Sequence, residues 1–238
     1  MGSDVKKTSI PFYSSFLYGD LYNSISKTRK RDTEFQANLR CFGQSKKLID
    51  SVVKELRAHQ RVLQMGITFG DEIERVAERI GAYGEFDVID VNPLQIKHKK
   101  ETIPLDRVRF LEGDATTFKA EEPYDAVICY FLLSELPIVS KMKAVNAALS
   151  AVKEGGVVIF VDTHTPIFWH PLRYVVRMYN RLWHPFAEKL WDRDIDTFAN
   201  KRMDFTWRKS TCFGRMFQKV TAVRKPSKSA VSPSQTSV

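Results

Sequence analysis

The chain has 238 residues, 43% of them hydrophobic, which suits one domain with its own core plus appendages and excludes a disordered composition. No apolar run approaches the roughly 18 residues that cross a bilayer, and three scattered cysteines, Cys41, Cys129 and Cys212, exclude a disulfide framework or a Cys-rich metal motif. The net charge is +9, and the whole excess lies after His164, where 14 basic residues stand against 5 acidic ones. That asymmetry points to an anionic partner, with membrane lipid and nucleic acid as the usual candidates. At the N-terminus there is no apolar signal-peptide core, and Lys6 stands where a myristoylation signal requires Ser or Thr. Asp4 and Asp20 weaken a mitochondrial transit reading, while Lys6, Lys7, Ser14 and Ser15 leave it open.

Residues up to about Arg31 are aromatic and Ser-rich, with Phe12, Tyr13, Phe16, Tyr18 and Tyr22. A helix is expected from Phe35 to Leu56, with a break at Gly43. An alternation then begins. RVLQM reads as a strand, Gly70 to Ile80 as a helix stopped by Gly81, and FDVID as the next strand. Asn92-Pro93 opens a helix, with proline in its first turn. VRFLEG and YDAVICYF are further strands, with Cys129 buried in the second. A helix from about Ser140 to Val152 is expected to stop at Gly155-Gly156, before the strand GVVIFVD. Alternating strands and helices predict a doubly wound, mostly parallel α/β sheet, Rossmann-like, which binds ligands beyond the carboxyl ends of its strands. Pro171 to Trp191 reads as helical and interrupted near His184-Pro185. MDFTW and MFQKVTAV read as antiparallel strands closing the sheet edge. The expected division is an N-terminal segment at 1–56, an α/β domain at 57–224 with an insertion at 165–200, and a disordered Ser/Pro-rich tail at 225–238.

Three features converge at predicted strand ends. Gly66 and Gly70 occupy the turn from the first strand into a helix, where free backbone N–H groups and the helix dipole favour an anionic or polar ligand. Two glycines in such a turn are equally well an ordinary connection. Asp90 ends the second strand, at the roughly 20-residue spacing at which a carboxylate meets ribose hydroxyls. A lone Asp there also serves as a cap. Asp114, after the third strand, can accept from an adenine amino group.

RVLQMGITFGDEI, VIDVNP, FLEGDA, YDAVICYFLLSELP and KEGGVVIFVD follow one another in the order of the class I S-adenosylmethionine-dependent methyltransferase motifs, and the chain resembles that superfamily over about Arg61 to Asp162. The resemblance implies S-adenosylmethionine as cofactor. Gln64, Gly66, Thr68 and Gly70 would lie around its methionyl part, Asp90 and Val91 at the ribose, and Asp114 and Ala115 at the adenine. Two positions depart from the pattern: the superfamily usually has an acidic residue where Gln64 stands and glycine where Thr68 stands. Asp71, one residue past the loop, is the expected replacement for the lost carboxylate.

QMGITFGD, VIDVNPLQ, FLLSELP, VDTHTPIFWHPLR and HPFAEKLW further resemble rhodoquinone-biosynthesis enzymes of the RquA type, over about Tyr13 to Val223. That resemblance implies exchange of a ubiquinone methoxy group for an amino group, with S-adenosylmethionine as amino donor and Mn²⁺ implicated. Two alternatives stand beside it: a conventional methyltransferase acting on a quinone or phenolic lipid, and a non-catalytic subunit of this fold at a membrane. An isoprenoid substrate implies a peripheral membrane enzyme, on the mitochondrial inner membrane in a eukaryote or the cytoplasmic face of the inner membrane in a bacterium.

Asp162, His164 and His170 gather after the fifth strand and are candidate Mn²⁺ ligands. Asp71, Glu135 and His164 are the candidate bases for an amine or hydroxyl proton. Each is also read as an ordinary cap or turn residue. Phe168 to Trp191 carries Trp169, Trp183 and Trp191 with several arginines, which suits a bilayer interface or an amphipathic helix packed on the sheet. No nucleic-acid motif accompanies the positive charge.

Overall fold

The computed structural model describes residues 32–103, 106–183, 186–191 and 193–227. The aromatic N-terminal segment before Asp32, the His184-Pro185 interruption and the tail beyond residue 227 lie outside them. Seven strands form one sheet in the order β3-β2-β1-β4-β5-β7-β6. They are β1 (Arg61–Met65), β2 (Glu85–Asp90), β3 (Val108–Glu112), β4 (Tyr124–Tyr130), β5 (Val152–Thr163), β6 (Phe205–Cys212) and β7 (Phe217–Arg224). The first five pair in parallel, and the β6–β7 hairpin joins β5 antiparallel. This is the expected α/β class, with the two late strands closing the edge antiparallel, as expected.

The central strands are apolar along nearly their whole length because both faces are covered. In β4 every residue except Asp125 is buried, and β1 is buried from Val62 to Met65. One face packs against α1 (Glu34–Arg40), α2 (Ser45–Val53), α3 (Glu72–Ile80) and α4 (Pro93–Thr102), through Leu48, Val52, Ile73, Val76, Ile80 and Ile96. The other packs against α5 (Ile138–Ala151), through Ala144, Val145, Ala148 and Leu149. The outer strand β6 is largely exposed and carries Arg208 and Lys209, which discourages edge-to-edge pairing.

Local signals account for most boundaries. Asn92 accepts from the backbone N–H of Leu94 and Gln95, and Pro93 follows it in the first turn of α4. The expected long N-terminal helix is two helices, divided where Phe42 (φ 49°) and Gly43 (φ 78°) turn left-handed. One boundary differs from expectation. Gly155-Gly156 does not stop α5, which ends at Ala151 because Val152 already pairs with Tyr124. The two glycines lie inside β5, opposite a register shift between Tyr124 and Ala126. A Cβ on Gly156 would meet the Asp125 carbonyl at 2.7 Å, so the second glycine lets the strands approach.

The α7 (Glu188–Trp191) segment follows α6 (Arg173–Trp183) after the β5 carboxyl end. Lys141 ties this region down. It is fully buried, and its ammonium donates to the Leu136 carbonyl and, at 2.9 Å, to that of Phe186. Burial lowers its pKa to about 8.

Candidate active site

The carboxyl ends of β3, β2, β1 and β4 lie side by side, and an open cleft of about 620 Å³ sits above them. Its walls include Gly66 and Ile67 after β1, Asp90 and Val91 at the end of β2, and Gly113, Asp114 and Ala115 after β3. The turn after β4 closes the far side with Phe131, Leu132, Glu135 and Leu136. The order of the strands reverses between β1 and β4, which is where doubly wound sheets bind ligands.

Gly66 is needed at its position. Its φ is 90°, and a Cβ there would press on Leu132 Cδ1 at 3.3 Å. The Asp90 carboxylate accepts from Ile67 N and from Asn92 N, both at 2.7 Å, and so joins the β1 turn to the start of α4. Burial pushes its pKa up to about 6 against the lowering effect of these backbone donors. Asp114 accepts from Thr116 N at 2.7 Å, which shapes the turn after β3. Tyr130 lines the cleft, while its hydroxyl is buried toward Glu72 and Cys41 with no hydrogen-bond partner among the described residues. Carboxylates at two neighbouring strand ends fit a ligand rich in hydroxyl and amino groups.

The rest of the glycine loop faces elsewhere. Gln64 is fully buried beneath the cleft, where its amide donates to the Gly66 carbonyl at 3.2 Å and its Oε1 has no partner. Thr68 donates its hydroxyl to Glu72, a buried carboxyl beside Gln64. Burial raises the Glu72 pKa to about 8. Gly70 donates its N–H to Asp32 at 2.9 Å and accepts from Lys99 at 2.9 Å. Its close approach is to Ala37 of α1, not to the cleft. Thus Gln64, Thr68 and Gly70 do not line the cleft but build the loop that does. Asp71 also stands outside the cleft lining, at the head of α3, and is corrected as a candidate base.

Of the candidate bases, only Glu135 lines the cleft. His164 is buried with both ring nitrogens engaged. Its Nδ1 faces the carbonyls of Thr165 and Arg215, each at 3.1 Å, so Nδ1 carries the proton. Its Nε2 then accepts from the Lys209 ammonium at 2.9 Å. Burial, then the charge of Lys209, lowers its pKa and keeps it neutral. His164 is therefore a brace between β5, β6 and the turn before β7, not a base.

The expected metal centre is corrected for related reasons. Among the described residues no three His, Cys, Asp or Glu side chains are placed to hold a metal ion together. Asp162 is buried, and its carboxylate accepts from Ser134 N at 3.0 Å and Thr163 N at 2.7 Å. It fastens the turn that carries Glu135 to the end of β5. His170 packs edge-on to Phe213, with ring centroids 5.2 Å apart, and its Nδ1 accepts from Leu172 N. The carboxylate of Asp162, both ring nitrogens of His164 and Nδ1 of His170 are committed to separate neighbours, and among the described residues the three do not form a set that fits Mn²⁺.

Two functional groupings were not read from the sequence. The first is Asp32, which is buried and paired with His98 Nε2 at 2.9 Å and Lys99 Nζ at 2.9 Å, so that it holds the glycine loop from behind. A signal existed: Gln95, His98 and Lys99 are polar at helical spacing yet all buried. The second is the apolar wall of Ile67, Phe131, Leu132 and Leu136. Phe131 has φ 52°, a turn conformation that FLLSELP gives no local sign of.

Comparison with known proteins agrees with this arrangement. Residues 62–156 match the family model described as a methyltransferase domain. No curated protein gives a significant match. Among solved structures, an O-methyltransferase family protein from Burkholderia thailandensis is 17% identical, with a TM-score of 0.66, over 89% of this chain and 64% of the other. Phosphoethanolamine N-methyltransferase 2 from Haemonchus contortus, in complex with S-adenosyl-L-methionine, is 12% identical, with a TM-score of 0.69, over 92% of this chain and 61% of the other. Magnesium protoporphyrin IX methyltransferase from Synechocystis PCC 6803, with bound SAH, is 16% identical, with a TM-score of 0.59, over 90% and 100%. The chain spans under two thirds of the first two proteins, and at these identities the likeness is one of fold. The sheet order, the cleft at its switch point and the structural likenesses together give this chain the class I S-adenosylmethionine-dependent methyltransferase fold, within which residues 62–156 match a methyltransferase-domain model.

Proposed function

We propose that the chain is an S-adenosylmethionine-dependent transferase acting on a quinone or phenolic ring, with methyl transfer as its first reading. The observation that carries this is the cleft itself: Gly66, Asp90 and Asp114 at three neighbouring strand ends, within the stretch that matches a methyltransferase domain. Asp90 accepts from the ribose hydroxyls, Asp114 with Ala115 meets the adenine, and the Gly66–Ile67 backbone lies along the methionyl part. The cofactor supplies an electrophilic methyl group on sulfonium. Glu135 takes the proton of the acceptor hydroxyl, and Phe131, Leu132 and Leu136 hold the acceptor's ring and exclude water.

One specific observation favours the second reading, replacement of a ring methoxy by an amino group. A nucleophilic amine must be unprotonated. The position under the methionyl end holds neutral Gln64, and Glu72 beside it keeps its proton to about pH 8. No fixed negative charge there stabilises an ammonium. In this reading the cofactor's amine would replace the ring methoxy group, which would leave as methanol, with Glu135 taking the amine proton. An elimination that removes a Cβ proton, protonates the departing nitrogen and leaves the Cα–Cβ bond unsaturated would then release the aminoquinone. No metal enters either scheme.

Purified protein with S-adenosylmethionine and either a short-chain ubiquinone or its demethylated phenol, followed by mass spectrometry, tests both. A product heavier by one CH₂ is expected for methyl transfer, and exchange of OCH₃ for NH₂ for amino transfer. Cofactor binding without product from either acceptor would refute the enzyme reading in favour of a non-catalytic subunit.

A further inference from the structure

Among the described residues no helix is long and apolar enough to cross a membrane. One short stretch nonetheless leaves an unusual amount of apolar surface in water. Phe168 and Trp169 are 79% and 68% exposed, and Tyr174, Val175 and Met178 on α6 are 76%, 51% and 62% exposed. The inner face of α6 is anchored without them: Val176 and Asn180 are buried against the domain, and Arg173 donates to the Pro166 carbonyl at 3.3 Å. The outer side chains therefore contribute little to the fold. Exposed apolar groups gathered in one place mark an interaction surface.

The charge around them selects the partner. Arg177 and Arg181 are exposed on the same helix; Arg177 lies 3.8 Å from the Glu188 carboxylate, and no acidic residue occurs between Thr163 and Ala187. A second copy of this surface would bring arginines against arginines, which opposes self-association. Aromatic and aliphatic side chains rimmed by cations match a bilayer bearing anionic headgroups, where the apolar groups enter the acyl boundary and the arginines stay at the phosphates. The location agrees. This stretch follows the carboxyl end of β5, and the cleft wall of Phe131 to Leu136 follows the carboxyl end of its parallel neighbour β4. Surface and cleft thus belong to one end of the sheet.

We propose that Phe168, Trp169 and the outer face of α6 dock the protein on an anionic membrane, so that the cleft receives its acceptor from the lipid phase. The inference does not depend on which group is transferred.

Sedimentation of the full chain with large unilamellar vesicles tests it. Binding is expected to vesicles of phosphatidylcholine mixed with phosphatidylglycerol, to be weaker with phosphatidylcholine alone, and to fall as salt rises. Trp169→Ser combined with Met178→Ser is expected to lower the partition coefficient at least about tenfold. Arg177→Gln and Arg181→Gln should each lower it about fivefold, and only on the anionic vesicles. Tyr83→Ser, at a site 84% exposed beyond α3, should change nothing. All these side chains are exposed, so circular-dichroism melts matching the parent are expected. Three results would overturn the proposal: no binding to the mixed vesicles, binding unaffected by the Trp169/Met178 pair, or a dimer that this pair of substitutions splits. The transfer assay in detergent micelles would stay positive in each of those cases, so failure here leaves the proposed function standing.

Discussion

Replacing Glu72 by glutamine isolates the energetic consequence of the altered glycine loop. Glu72 is 1% exposed, and its carboxyl titrates at about 8 instead of the ordinary 4.5. The sign follows from linkage. A raised folded-state pKa means the folded protein holds a proton that the unfolded chain has released. Its contribution is therefore fully present below about pH 4.5 and is lost as pH rises toward about 8. Between the two values the group costs about 1.4 kcal/mol per pH unit. Glutamine keeps the shape and can still accept from Thr68, but it does not titrate. Glu72→Gln should then be more stable than the parent by about 1 kcal/mol near pH 5 and by about 4 kcal/mol near pH 8. In a chain of this size the latter raises the melting temperature by about 10 °C. Urea unfolding of both proteins across that range, followed by circular dichroism, reads the difference directly. A constant gap between them, or a parent that is the more stable protein near pH 8, would refute the reasoning and place the Glu72 carboxylate in a solvated or ion-paired site.

Asp90→Asn should weaken binding of S-adenosylhomocysteine about ten- to hundredfold by isothermal titration, the loss of charge-assisted bonds to two hydroxyls. In the parent, affinity should fall about tenfold per pH unit below about 6, because burial holds the Asp90 pKa there and only the carboxylate accepts two donors. Asp32→Ala leaves buried Lys99 and His98 without their anion and frees the Gly70 N–H, so a loss of about 3 kcal/mol in urea unfolding is expected, together with weaker cofactor binding. Tyr124→Phe removes a 2.7 Å hydrogen bond to Asp87, a buried carboxylate that Arg109 already pairs, and should cost about 1–2 kcal/mol with no change in cofactor affinity.

What the sequence could show depended on how far apart the interacting residues lie. The parallel strands were legible because burial on both faces writes a continuous apolar run, and α4 because Asn92-Pro93 acts within its own first turn. The Gly155-Gly156 pair misled because a helix stop and a bulged strand ask for the same residue. Gly66, Asp90, Val91, Asp114, Ala115 and Glu135 line one cleft, since every parallel strand ends at the same edge. His164 does not, because Lys209 and the Arg215 carbonyl reach it from 45 and 51 residues away. Asp162 looked free for a metal until the turn after β4 brought Ser134 N onto it.

The glycine loop carries this lesson into chemistry. Sequence placed the substitute for its missing carboxylate at Asp71, the first acidic residue after the loop. The side chain that faces Gln64 is instead Glu72, one helical position further, where α3 turns inward and Thr68 reaches it. The one-residue difference changes the surroundings: Asp71, at the helix head, is only half-buried. The carboxyl at Glu72 is buried and protonated at neutral pH, so it places no counter-charge beneath the cleft. Thr68, which looked like an obstruction to close backbone approach, is the donor that fixes this carboxyl. Gln64, Thr68 and Glu72 therefore form one neutral unit beneath the cleft.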